Sequence, residues 1–292
     1  MRIASYNYQS VCHVGMLSTD MSSIISFDIP EARAKMGLLA LFDSAPSLLP
    51  LRNAEEPTPL ELVEILAPIP NPRRNIFCVG KNYFAHVQEI AAAGFDIPDS
   101  RGDAPEVPII FSKLPDCVVG HNASILYNQK VTRQLDYEAE LGVVIGKEVK
   151  GISREEAMDC VWGYTIINDV SARDVQANHK QWLLGKSQDT FCPMGPFAVS
   201  KNLVNLTDTA IRCWVNGELR QDGNTAQMIF DVPTLIETIS AGITLYPGDV
   251  IATGTPAGVG AGFEPPRFLK NNDTVTIEIS GIGTLTNQVI SE

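Results

Sequence analysis

Glu138 and Glu140 stand two residues apart in Asp136-Tyr137-Glu138-Ala139-Glu140-Leu141, at the start of a stretch that reads as a strand. Period-two geometry puts both carboxylates on one face, within reach of one ion. A third carboxylate, Asp169, follows the apolar run Tyr164-Thr165-Ile166-Ile167 and is expected to emerge at the end of a buried strand. Three converging carboxylates would hold a hard cation such as Mg2+ or Mn2+, with positions left for water and substrate. The blander reading of the Glu pair alone is a solvated strand face. His86 and Glu89 lie three apart, so on a helix they share a face and can act as a base and its orienting partner. A surface His beside a Glu is the commoner arrangement. Arg173 and Asp174 add charge soon after Asp169, and they could equally be a structural ion pair.

Other chemistries are excluded by what is missing. The six cysteines are scattered with no C-x-x-C, and the four histidines include no i, i+4 pair, so any metal site must be built from carboxylates. Gly254-Thr255-Pro256-Ala257-Gly258-Val259-Gly260 has the spacing of an anion-cradling turn. It lacks the P-loop Lys and a strand-to-helix context, which excludes P-loop and Rossmann readings.

Residues 1 to about 70 alternate short apolar runs with turns, pass through a helix-like stretch at Pro30 to Phe42, and end among prolines 57, 59, 68, 70 and 72, which read as a boundary. Strands are expected at 76–80, 109–112, 130–133, 137–145, 161–167, 250–253, 275–279 and 285–290, and Asn216-Gly217 marks a hairpin. Helices are expected over 82–93, ended by Gly94, from Ser153 through a capping box with Glu156, and from Asp231 to Gly242. Residues 95–108, polar and without period, have the composition of a mobile loop. Short strands dominate the last two thirds, so a mainly β, α+β fold with antiparallel or mixed pairing fits better than a doubly wound sheet.

The 292 residues carry 34 acidic and 22 basic side chains, for a formal charge of −12. That balance disfavours nucleic acid and anionic membranes as partners. With 45% hydrophobic residues the chain can bury a large core, no run of 18 apolar residues is present, and the start lacks the pattern of a signal peptide. A cytosolic location with reduced, mostly buried cysteines is the expectation.

Taken in order, Gly80-x-Asn82-Tyr83-x-x-His86-x-x-Glu89, Asp136-Tyr137-Glu138-x-Glu140-Leu141, Asn168-Asp169-Val170-Ser171-Ala172-Arg173-Asp174-x-Gln176, Gly185-Lys186-Ser187 and Pro247-Gly248-Asp249-x-Ile251-x-Thr253-Gly254-Thr255-Pro256 resemble the fumarylacetoacetate hydrolase family over about residues 72–290. The resemblance implies the family's mixed-β roll in residues 71–292, preceded by a small N-terminal α+β domain in 1–70, usually as a homodimer. It makes Glu138, Glu140 and Asp169 the ligands of Mg2+, with Mn2+ or Ca2+ as alternatives. His86 and Glu89 become the dyad that activates water and Lys186 the cation that steadies a developing enolate. Tyr83, Lys113, Arg173, Gln176 and Thr255 become pocket residues that orient a 2-oxo acid substrate. Two features depart from the commonest pattern: Gln188 where many members have an aromatic, and a longer stretch from Gly94 to Pro108.

The implied activity is a Mg-dependent hydrolase that cleaves a carbon-carbon bond in 2,4-dioxo acids of acylpyruvate or fumarylpyruvate type through a pyruvate enolate. Oxaloacetate decarboxylation passes through the same enolate, and isomerase, hydratase or lyase chemistry on related acids of aromatic or ureide catabolism is the other alternative. Closure of residues 83–108 over bound substrate, which would bring the dyad to the metal, is a further expectation.

Overall fold

The apolar runs pair as strands, as their β-branched and aromatic content dictates. The computed structural model of the chain describes residues 1–42, 51, 56–94 and 104–292. Nine strands build most of one large sheet: β1 (Arg2–Tyr8), β2 (Val11–Leu17), β3 (Ser23–Ser26), β4 (Ile76–Gly80), β5 (Ile109–Lys113), β6 (Ala139–Ile145), β7 (Val161–Asn168), β8 (Cys192–Ser200) and β9 (Val250–Ala252). Their order in space is β3-β2-β1-β8-β7-β6-β9-β4-β5. Neighbours are antiparallel except β9 and β4, which are parallel. At the centre β6 is buried along its whole length, which is why it is apolar on both faces around Glu140.

A second, five-stranded sheet runs in the order Glu218–Asn224, Ala210–Val215, Thr274–Ile279, Gly283–Ser291 and Ser124–Tyr127. The expected hairpin is there, with Asn216 and Gly217 both in the left-handed region that its two-residue turn needs. The main core lies between the sheets and joins Leu141, Tyr164 and Ile166 to Ile211, Ile277 and Leu285. Four helices matter for the site: α1 (Phe84–Ala92), α2 (Arg173–His179), α3 (Leu183–Lys186) and α4 (Val232–Ser240). Gly94, at φ +76°, ends the turn after α1, and the Asp231 side chain caps α4 by accepting the Thr234 N–H. The mainly β, α+β architecture with a mixed sheet is therefore what the chain adopts.

Several local expectations need correction. Residues 130–133 are a turn and not a strand, because the Asn128 carbonyl accepts the Val131 and Thr132 amides while Asp174 takes the Thr132 hydroxyl and the Arg133 amide. At Ser153 the side-chain contact to Glu156 forms, yet the helix shrinks to a 3-10 turn at Ala157–Asp159, with Arg154 pulled onto Asp231 and Thr234. The stretch Pro30 to Phe42 splits into Glu31–Ala34 and a 3-10 turn, Gly37–Leu41, since Gly37 sits at φ +61° against the Pro68 carbonyl. The boundary expected near residue 70 falls inside the large sheet: β1 pairs with β8, and Ile3, Val14 and Leu38 share one core cluster with Cys78, Val144 and Met194. Of the expected mobile loop, residues 95–103 lie outside the described residues.

All six cysteines are free and buried. Among the described residues no helix is long and apolar enough to cross a membrane.

Candidate active site

The register of two strands assembles the carboxylates. Ala139 pairs with Asn168 across β6 and β7, and the Asp169 amide donates to the Glu138 carbonyl at 2.9 Å, so the residue that leaves β7 meets those that open β6. One carboxylate oxygen from each of Glu138, Glu140 and Asp169 lies within 4.8 Å of one from each of the others, and all three residues are buried.

Each acid is held by a donor from a different element. Lys113, at the end of β5, donates to Asp169 Oδ1 at 2.7 Å, to the Val170 carbonyl at 3.1 Å and to the Lys186 carbonyl. Arg173, the first residue of α2, reaches Glu138 Oε1 at 2.7 Å through Nη1 and Asp136 Oδ2 at 2.9 Å through Nε. The Gly254 amide, just past β9, donates to Glu140 Oε2 at 2.8 Å. Lys186, at the end of α3, bridges Glu138 Oε2 and Asp169 Oδ2 at 2.8 Å each. With Asp136 the cluster sets four acidic side chains against three cationic ones, Lys113, Arg173 and Lys186.

Environment separates the two glutamates. Burial opposes ionisation of Glu138, but Lys186 and then Arg173 outweigh it and hold its carboxyl well below the ordinary carboxylate range. Burial, reinforced by the charges of Asp169 and Glu138, pushes Glu140 the other way, well above that range. The donor set is three hard oxygens with no nitrogen or sulfur among them, which fits Mg2+ or Mn2+.

The dyad lies at the same site, His86 lining one cavity with Glu138 and Glu140. His86 Nδ1 is 3.2 Å from Glu89 Oε2, and Glu89 Oε1 accepts the Gly258 amide at 2.8 Å, so the glycine-rich loop serves as an anchor for the dyad. Asp136 shapes the same loop by accepting the Gly260 and Ala261 amides at 2.6 and 3.0 Å. Gln221 fixes the loop's near end through the Thr255 hydroxyl and the Pro256 carbonyl, both at 2.7 Å.

A cavity of about 510 Å³ opens onto this arrangement. Of the expected residues, His86, Glu138, Glu140, Arg173, Gln176, Lys186 and Thr255 line it. Lys113 does not: it is fully buried behind Asp169 with its three donors engaged. Glu89 and Asp169 stand behind His86 and Lys186, and Tyr83 is buried with a hydroxyl that has no hydrogen-bond partner among the described residues. Phe111 and Trp182 form an apolar wall that sequence reasoning missed, their rings 4.9 Å apart and edge to face, with Lys186 Nζ 5.2 Å from the Phe111 centroid. Trp182 packs where a Cβ on Gly80 would sit, a contact with no local sequence signal. Lys81 also lines the cavity, held at φ +57°. Asp136 and Gln221 were missed as organisers because neither touches the cavity.

Comparison with known proteins agrees with this geometry. The family model "Fumarylacetoacetate (FAA) hydrolase C-terminal" matches residues 75–290. The chain belongs to the fumarylacetoacetate hydrolase family. Within it, this member is 51% identical over 231 residues to the oxaloacetate tautomerase YisK of Bacillus subtilis, covering 79% of this chain and 74% of that one. It is 46% identical to the mitochondrial oxaloacetate tautomerase fahd2 of Xenopus laevis, covering 78% and 69%. Among solved structures, a fumarylacetoacetate hydrolase from Exiguobacterium antarcticum superposes with a TM-score of 0.80 at 36% identity over the full length of both chains. A 5-carboxymethyl-2-hydroxymuconate delta-isomerase from Mycobacterium smegmatis superposes with a TM-score of 0.79 at 33% identity, again over both full lengths. Family members of this kind are enzymes on small molecules, and the superposition over residues 1–292 includes the N-terminal strands.

Proposed function

We propose that this protein is a divalent-metal-dependent enzyme that interconverts the keto and enol forms of a 2-oxo acid, with oxaloacetate as the leading substrate. The observation that carries this reading is the convergence of Glu138, Glu140 and Asp169, two of them bonded to the Lys186 ammonium, beside a cavity that also presents His86. The two tautomerases named above support oxaloacetate as the acid.

Tautomerisation moves one proton between C3 and the 2-oxo oxygen, so it needs a base near carbon and a positive charge near oxygen. With Nδ1 donating to the Glu89 carboxylate, His86 is left with Nε2 as the atom that takes and returns the proton. Lys186, whose ammonium is tied to Glu138 and Asp169 at the edge of the cavity, supplies positive charge near the same oxygen. Glu138, Glu140 and Asp169 would hold Mg2+ or Mn2+, which supplies Lewis acidity to the same oxygen. Phe111 and Trp182 keep one side of the cavity apolar, so the charges act in a medium of low dielectric.

A second reading, hydrolysis of the C3–C4 bond of acylpyruvates, is favoured by the dyad itself, since a His oriented by Glu89 can equally deprotonate water. Decarboxylation of oxaloacetate shares the enolate and needs no nucleophile. The assembly proposed with either activity is a homodimer in the cytosol, as the family resemblance implies.

Stopped-flow absorbance of freshly dissolved enol-oxaloacetate, with Mg2+ or Mn2+ and then with EDTA, tests the first reading while a pyruvate-coupled assay follows the others. Metal-dependent loss of enol absorbance without pyruvate is the expected result. Pyruvate released from acetylpyruvate, with enol decay no faster than in buffer, would replace tautomerase by hydrolase.

A further inference from the structure

Each acid of the cluster offers two oxygens, and one of each accepts a hydrogen bond from a donor other than Lys186. Asp169 Oδ1 is held by Lys113, Glu138 Oε1 by Arg173 and Glu140 Oε2 by the Gly254 amide. These three donors cannot leave cheaply. Lys113 is fully buried and also satisfies two backbone carbonyls, Arg173 is tied to buried Asp136, and the Gly254 amide is backbone at φ +94°, packed against Asn82. Lys186 Nζ differs, because both of its bonds go to the oxygens left over, Glu138 Oε2 and Asp169 Oδ2. Its ammonium marks the place where those two oxygens converge on a cation.

We propose that Lys113, Arg173 and the Gly254 amide are positioning groups that confine each carboxylate to a single free oxygen, which makes the site selective for a small six-coordinate cation over calcium. Calcium takes six to eight oxygens and gains from two-oxygen carboxylate contacts, while Mg2+ and Mn2+ accept an octahedron of single oxygens completed by water or substrate. Three one-oxygen carboxylates suit the second kind and starve the first. Lys113 is then a residue that acts through Asp169 and never touches substrate. The inference rests on the metal reading above and not on which tautomer or bond the enzyme works on.

The test is calorimetric titration of the metal-stripped full-length protein with Mg2+, Mn2+ and Ca2+, without substrate. Wild type is expected to bind Mn2+ at least about tenfold more tightly than Ca2+. Lys113→Met frees Asp169 Oδ1 and should shrink that ratio by about fivefold or more, whereas Lys113→Arg, which restores the donor, should keep it. Arg173→Gln frees Glu138 Oε1 at the cavity wall and should shrink the ratio in the same direction, so the test survives if Lys113→Met does not fold. In the infrared, the wide splitting of carboxylate stretches typical of one-oxygen binding should narrow in the Mn2+ complex of either variant. A ratio that stays fixed in a folded variant, or a wild type that holds Ca2+ as tightly as Mn2+, overturns this inference alone. No binding of any ion overturns it together with the metal reading.

Discussion

The carboxylate cluster and the His86–Glu89 dyad border one cavity and are built in opposite ways. Around the acids, every donor is buried and comes from a separate element: β5, α2, α3 and the turn after β9. The dyad belongs to the single nine-residue helix α1, and among the described residues one hydrogen bond from outside that helix, Gly258 N–H to Glu89, reaches its carboxylate. A site that must hold multiple like charges together needs a scaffold that resists their repulsion. A base that must take and release a proton needs only to be aimed. Damage to the first should therefore cost stability as well as function, and damage to the second function alone.

Asp169→Ala is the most severe way to expose that difference. It removes a metal ligand, leaves the buried Lys113 ammonium with backbone carbonyls and no carboxylate, and leaves Lys186 with Glu138 alone. Metal binding and turnover should vanish, with a stability loss of about 3 to 5 kcal/mol, the usual result of leaving a buried charge unpaired. Denaturant unfolding beside metal titration checks both. Unchanged stability would show that the cluster is looser than its hydrogen bonds imply.

His86→Gln sharpens the other side. Turnover should fall by about 10² to 10⁴, the range for loss of a general base, while Mg2+ or Mn2+ affinity and the unfolding midpoint stay at wild-type values. A coupled loss of metal affinity would mean that the two halves are not separable.

How much of this contrast could be read in advance follows from what periodicity can see. Glu138 and Glu140 were legible as partners because a strand repeats every two residues, and Asp169 because it follows an apolar run of strand length. His86 and Glu89 were legible from a helical spacing of three. The family resemblance supplied their order along the chain. What stayed hidden was depth. The resemblance made Lys113 a pocket residue, and the pattern Phe111-Ser112-Lys113 says which residues alternate but not from which side an ammonium approaches Asp169. The pairing of β1 with β8 joins residues almost 200 positions apart, Arg2 with Val199, and no local period encodes such a contact. The same holds for Trp182 over Gly80. At Lys130 to Arg133 a local signal was present and misleading, since Asn128 and Asp174 drew the backbone into a turn.

The cluster's charge balance yields a milder, pH-dependent effect. Burial, with the nearby Asp169 and Glu138 charges, raises the Glu140 carboxyl well above the carboxylate range, so without metal the folded state holds that proton more tightly than the unfolded chain does. The associated stability is present at acid pH and is lost as pH rises through the raised value. Glu138 works in reverse: its depressed carboxyl contributes stability above the unfolded value that is lost only in strong acid. Metal binding requires Glu140 ionised, so the gain in melting temperature from Mg2+ over EDTA should widen as pH rises above the ordinary carboxylate range. A gap that does not change with pH would place the proton elsewhere.

The smallest effect expected comes from the dyad's anchor and separates aiming from scaffolding most cleanly. A Cβ added at Gly262 would meet the Glu89 carboxyl, the far end of a flexible and partly exposed side chain. Gly262→Ala should therefore swing Glu89 off His86 Nδ1 and off the Gly258 amide without disturbing the donors that hold the acids. His86 would keep its place in α1 but lose the partner that sets its tautomer, so turnover should drop about tenfold, the low side of what a positioned acid or base contributes. Stability should change by less than about 1 kcal/mol, because the displaced group has room to move. If the pH profile of kcat shifts with that drop while Mn2+ affinity holds, Glu89 acts by orienting His86. If affinity falls in step with turnover, the glycine-rich loop braces the carboxylates as well, and the division between a rigid half and an aimed half fails.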